Sequence, residues 1–148
     1  MGTVELLFKN SFMNPIQTCP PMPRYALLEH TGAPDDPSGC HYDLLLESGE
    51  HCRTWRLARK PAAGEPSQAA VELAPHRLVW LTPRSAAVSG GRGWARGIAH
   101  GHYAGALPSD APTPVRVQLL DGALQGWLQL EGGCCGLEPC PTPSGNVP

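Results

Sequence analysis

Two histidines and an aspartate lie close together early in the chain. The run YALLEH ends in His30, and the run HYDLLLE opens with His41, Tyr42 and Asp43. In an extended strand, residues i and i+2 share a face. His41 and Asp43 then project together, and Tyr42, Leu44 and Leu46 project oppositely. His30, at the end of a neighbouring strand, completes a cluster at the mouth of a small closed sheet. Two imidazoles and a carboxylate suit a divalent metal with coordination positions left open. Such a centre can bind and polarise a phosphate ester. His76 is a fourth candidate, because it precedes an apolar run as His30 follows one. The plain alternatives are an exposed His–Asp pair on an edge strand and a turn histidine after Pro75.

The other histidines read less sharply. His51 falls in an expected hairpin turn, facing solvent. His100 and His102 share a strand face, either as a metal-binding pair or as a polar outer surface. Arginine suits bidentate phosphate binding, but most of the arginines here are scattered. Arg92 stands out in SGGRG, because flanking glycines allow close backbone approach to a ligand. There is no P-loop, no GxGxxG after a strand and no GxSxG. A cysteine-protease reading fails because Cys40 and His41 are adjacent and point to opposite faces of a strand.

These side chains need strands to position them. Arg24–Glu29, His41–Glu47 and Cys52–Leu57 read as the first three, with a Gly/Pro/Asp loop over Thr31–Cys40 and a turn at Ser48-Gly49-Glu50. A short helix is expected at Pro66–Ala70 and a fourth strand at His76–Leu81. Trp94–Tyr103 reads as a strand broken at Gly97 and Gly101, where bulges or bends fit. Val115–Leu120 and Leu124–Leu130 flank Asp121-Gly122, a hairpin signal. Six or seven short strands with turns between them predict a mainly β protein, a small antiparallel β-barrel with one or two short helices.

At 148 residues, the chain has room for one domain. Its expected extent is 22–131, after a disordered leader at 1–21 and before a disordered Gly/Pro-rich tail at 132–148. Met22, directly before PRYALLEH, would serve as a natural start. The 17 glycines and 17 prolines argue for turns rather than long helices. A net charge of -2 argues against a strongly basic nucleic-acid binder, though not against a local basic patch. MGTVELLFKN lacks the pattern of a signal peptide, and no apolar run approaches the roughly 20 residues of a membrane span. The expected setting is therefore the cytoplasm, with the six cysteines as free thiols. No pair has CxxC spacing, and Cys134, Cys135 and Cys140 fall in the expected tail.

RYALLEH, HYDLLLE, RTWRL, PHRLVWL and VSGGRG together resemble the 3′-phosphoesterase domain of bacterial DNA ligase D. The likeness is closer still to short stand-alone members of that family, and it runs from about Pro23 to Leu130. It implies a compact β-barrel that uses manganese to trim a 3′-terminal ribonucleotide and remove a 3′-phosphate. His30, His41 and Asp43 match the family's metal ligands, and His76 matches a histidine that contacts the phosphate. Arg59 lies near the position of a basic residue. The expected cofactor is Mn²⁺ or another divalent metal. The expected partners are DNA 3′ ends, including RNA-containing ones, and a separate ligase or polymerase, with the protein itself a monomer.

Three positions depart from the pattern. Leu45 stands where active members carry an arginine, Trp80 where they carry a tyrosine, and Ala69–Ala74 holds no arginine. The alternative reading is therefore a catalytically weakened, metal-containing module that binds DNA ends or recruits a repair partner.

Overall fold

Short, largely apolar runs bounded by turn residues build the first three strands. They are β1 (Arg24–Thr31), β2 (Cys40–Ser48) and β3 (His51–Leu57). The computed structural model describes residues 21–141. The rest of the expected leader and the last seven residues of the expected tail lie outside the described residues. Beyond β3 come β4 (Gln68–Arg77), a 3-10 turn at Leu78–Leu81, β5 (Ser85–Ala87) and β6 (Trp94–Ala104). Then follow β7 (Val115–Leu119), β8 (Gly126–Glu131) and β9 (Cys134–Glu138). They form one antiparallel sheet in the order β1-β2-β3-β4-β9-β8-β7-β6-β5, and pairing of β1 with β6 closes it into a ring. The expected mainly β, barrel-like fold is what the chain adopts.

The ring has two apolar faces. Tyr25, Leu27, Leu44, Leu46, Trp55 and Leu57 point inward, where they meet Val117, Leu128 and Leu137 from the far wall. Each such leucine contributes roughly 1.5–3 kcal/mol by leaving water. The alternate residues Ala26, Leu28, Leu45 and Cys52 face outward and are covered by Trp80 and Leu81 of the 3-10 turn. This second cluster makes β1–β3 a buried layer on both sides, and it decides where the candidate site can lie.

Several local expectations are corrected. Gln68–Ala70 opens β4 and is not a helix. The expected strand His76–Leu81 divides into the end of β4 and the 3-10 turn. Beyond Ala70 most of β4 is exposed, so it carries no periodic apolar signal. His51 is the first residue of β3, paired with Ser48. The expected domain end at 131 is too early. Cys134–Glu138 forms β9, which pairs with β8 and β4 through Cys135 and Leu137 packed in the core.

The expected bulge in the glycine-containing strand occurs: the register of β1 against β6 shifts between Leu27 and Leu28, at Gly97–Ala99. A second bulge lies in β4. Leu73 pairs with Thr54 and His76 with Cys52, so Ala74 and Pro75 together oppose Arg53. Pro75 is tolerated at a bulge because no ladder N–H is needed there.

Candidate metal centre

Strand register brings the three residues together. His30 of β1 pairs directly with His41 of β2, and Leu28 pairs with Asp43. All three side chains leave the sheet on the face of Leu28 and Leu45, opposite the ring's interior. The cluster is therefore on the outer face of the wall, next to the second apolar cluster, and not at the mouth of the sheet. His30, His41 and Asp43 are 8%, 3% and 2% exposed. One ligand atom from each lies within 4.8 Å of the others.

Each imidazole has one nitrogen committed elsewhere. His30 Nε2 donates to the Arg92 carbonyl at 2.6 Å, and His41 Nδ1 donates to Asp36 Oδ2 at 2.8 Å. A neutral imidazole that donates from one nitrogen carries a lone pair on the other. His30 Nδ1 faces Asp43 Oδ2 at 3.4 Å, and His41 Nε2 faces Asp43 Oδ1 at 3.4 Å. Lone pairs thus converge on a buried carboxylate. His41 Nε2 and Asp43 Oδ1 are buried without a hydrogen-bond partner. That arrangement calls for positive charge at its centre, and a cation coordinated by all three residues supplies it. The group can hold a metal ion.

Without an ion, a proton on His41 is the other source of that positive charge. Burial pushes the Asp43 carboxyl up, but the attraction of the facing His41 and His76 imidazoles outweighs this and holds it well below the usual carboxylate range. His41 is made more basic by Asp43, against the opposing effect of burial, with Asp36 adding to the rise and the charge of Arg56 opposing it. Bonds from Ser38 and His41 hold the Asp36 carboxyl down at about 2.

The loop ahead of β6 supports the cluster from outside. Gly93 has φ +93°, and a Cβ there would collide with the Thr31 carbonyl oxygen. The glycine beside Arg92 thus allows close approach to β1, which puts the Arg92 carbonyl over His30. The Arg92 guanidinium reaches back to the Ser89 carbonyl at 2.7 Å and the Ser89 hydroxyl at 3.1 Å.

A cleft of about 410 Å³ opens on the cluster, with His30, Asp35, Asp43, Arg56, His76 and Arg92 among its lining. His76 Nδ1 donates to the Ala74 carbonyl at 3.2 Å, and Nε2 stands 3.7 Å from Asp43 Oδ2. The bulge accounts for this direction. Leu73 and Val71 share the outward face, so an unbroken alternation would turn His76 inward. The extra residue reverses the phase and puts His76 beside Asp43.

The remaining candidates are placed elsewhere. Arg59 is not brought to the cleft: its guanidinium donates to the Pro66 carbonyl, and it lines another hollow with Lys60 and Gln68. His102 pairs with Asp121 at 3.1 Å. His100 is half-buried, and its Nε2 has no partner among the described residues. His51 is exposed. The sequence reading missed Asp36. Its one signal was a carboxylate five residues before His41 in a loop short enough to fold back.

In comparisons with protein-family models and with curated proteins, nothing matched this chain.

Proposed function

We propose that this chain is a metal-dependent 3′-phosphoesterase-like protein that hydrolyses 3′-phosphate or 3′-ribonucleotide groups at DNA ends during repair. The observation that carries the reading is the pair of unpartnered buried atoms, His41 Nε2 and Asp43 Oδ1, facing each other beside an open cleft that His30 and Asp43 line. The resemblance to the ligase D phosphoesterase domain supplies the substrate class and the preference for manganese.

In this reading His30, His41 and Asp43 hold Mn²⁺ or another divalent ion. The bound ion supplies charge neutralisation at the phosphate and a more acidic water. Asp36 and the Arg92 carbonyl fix the two imidazoles so that the correct nitrogens face inward. When its ring carries both protons, His76 can donate from Nε2 to a phosphate oxygen while Nδ1 keeps the Ala74 carbonyl. Arg92 lies at the rim, where its guanidinium can exchange Ser89 for the substrate. Arg59 has no part in this arrangement. The protein works as a monomer in the cytoplasm, and sealing of the trimmed end falls to a separate ligase. No helix among the described residues is long and apolar enough to cross a membrane.

Release of phosphate from a 3′-phosphate DNA primer tests the reading. His41→Ala and Asp43→Ala should each abolish the manganese-dependent reaction. Variants as active as the parent would refute the assignment.

One observation favours a second reading, a DNA-end-binding or repair-recruitment module. Leu45 occupies the position of a family arginine and is fully buried under the 3-10 turn, so that clamp has no counterpart on the same strand. Binding of 3′-phosphate DNA without turnover would favour this reading.

A further inference from the structure

We propose that Arg56 is the anion-binding residue of this cleft, and that Asp35 is a built-in competitor holding the place of a bound phosphate. The inference rests on the reading of the cleft as a phosphate site.

Register supplies the first argument. Arg56 of β3 pairs directly with Asp43 of β2. It therefore leaves the sheet on the same outer face and emerges beside the metal centre. It lines the same cleft as His30, Asp43 and His76. A guanidinium on the strand next to Leu45 can serve the space that Leu45, turned into the apolar cluster, does not reach.

Unfilled hydrogen-bonding capacity supplies the second. Arg56 Nε is buried and has no partner among the described residues. A buried donor left unpaired is costly, so the site is arranged for an acceptor to arrive. Arg92, the other arginine of the cleft, already holds Ser89 through two nitrogens and must exchange those bonds before it meets a substrate.

The occupant of Arg56 supplies the third. Its ion-pair partner is Asp35 Oδ2, at 3.3 Å from Nη1. Asp35 sits on the β1–β2 loop with a side chain 69% exposed, and it too lines the cleft. An ion pair with so exposed a partner is weak and easily exchanged. A phosphate offers the guanidinium two oxygens in the geometry it prefers. It can take the place of the carboxylate, fill the Nε donor and still reach towards the metal centre.

The test is calorimetric titration of inorganic phosphate into the full-length protein, with and without Mn²⁺. Arg56→Gln should weaken binding about tenfold or more, and Arg56→Lys should weaken it less. Asp35→Asn should strengthen binding several-fold, because it removes the competitor. Arg116→Gln, which changes an arginine stacked on Trp127, should leave it unaltered. Asp35 is exposed, so its variant stays informative even if Arg56→Gln folds poorly. The proposal is overturned if Asp35→Asn binds phosphate no better than the parent, if folded Arg56→Gln binds within twofold of it, or if the parent shows no binding. The two readings fail separately. Phosphate binding in the expected pattern without turnover of 3′-phosphate DNA sinks the phosphoesterase reading and keeps this one. Turnover with unchanged phosphate affinities does the reverse.

Discussion

His41 donates from Nδ1 to Asp36 Oδ2 at 2.8 Å, and this one bond decides which nitrogen of His41 faces Asp43. Asp36 is itself held by the hydroxyl and the backbone N–H of Ser38. Carboxylates that orient ligating histidines typically contribute about 10–100-fold to metal affinity. Asp36→Ala should therefore weaken Mn²⁺ binding by about that factor. Asp36→Asn, which keeps an oxygen acceptor, should lose less. Equilibrium dialysis of the two variants beside the parent measures both, and equal affinities in all three proteins would contradict the role.

Metal binding should also appear in stability. A ligand at 100 times its Kd stabilises the native state by about 2.7 kcal/mol. Saturating Mn²⁺ should raise the thermal midpoint of the parent and leave that of Asp43→Asn where it was. Scanning calorimetry with and without the ion is the check.

An arginine at position 45, which the proposed likeness to the ligase D phosphoesterase domain would call for, should not fit on β2. Leu45 lies under Trp80 and Leu81, and it is fully buried. A guanidinium there would be a buried charge without a partner, which costs more than about 3 kcal/mol. Leu45→Arg should lower the urea midpoint sharply and give no gain in phosphate release. A stable variant with higher turnover would show that the outer cluster opens to the cleft.

His100 makes the fold acid-sensitive. Burial lowers its pKa from the ordinary histidine value. In the window from about 6.5 downwards, the unfolded chain takes up a proton that the folded chain resists. The contribution of His100 is therefore intact above that window and is lost as pH falls through it. His41, whose folded pKa is raised, acts in the opposite sense, so the prediction concerns the difference between two proteins. Between pH 7.5 and 5.5, His100→Gln should lose less stability than the parent in urea unfolding. An equal or steeper loss would contradict the assignment.

Cysteine reactivity should divide by burial. Desolvation pushes the Cys52 and Cys135 thiols up to about 11, whereas Cys134 and Cys140 are exposed. At pH 8, iodoacetamide should label the exposed pair in native protein and reach Cys52 and Cys135 only after denaturation. Peptide mass spectrometry separates the sites. Rapid native labelling of Cys135 would argue against the packing of β9.

Local patterning carried much of this protein. Alternation along HYDLLLE determined that His41 and Asp43 share a face and that Leu44 and Leu46 take the other. The Gly, Pro and Asp residues of 31–40 determined that a loop returns the chain from His30 to His41. Such features follow from the two-residue period of a strand, which any short segment displays by itself. Pairing decided the rest. The register that sets His30 against His41, and Arg56 against Asp43, exists only once strands meet. The bulge at Ala74-Pro75, which turns His76 towards the centre, depends on Arg53 across the ladder. Whether that shared face looked into the ring or out of it depended on the 3-10 turn that covers Leu45. The course of β9 was invisible for a similar reason: five residues with two side chains in the core become a strand only when β8 and β4 offer them backbone partners.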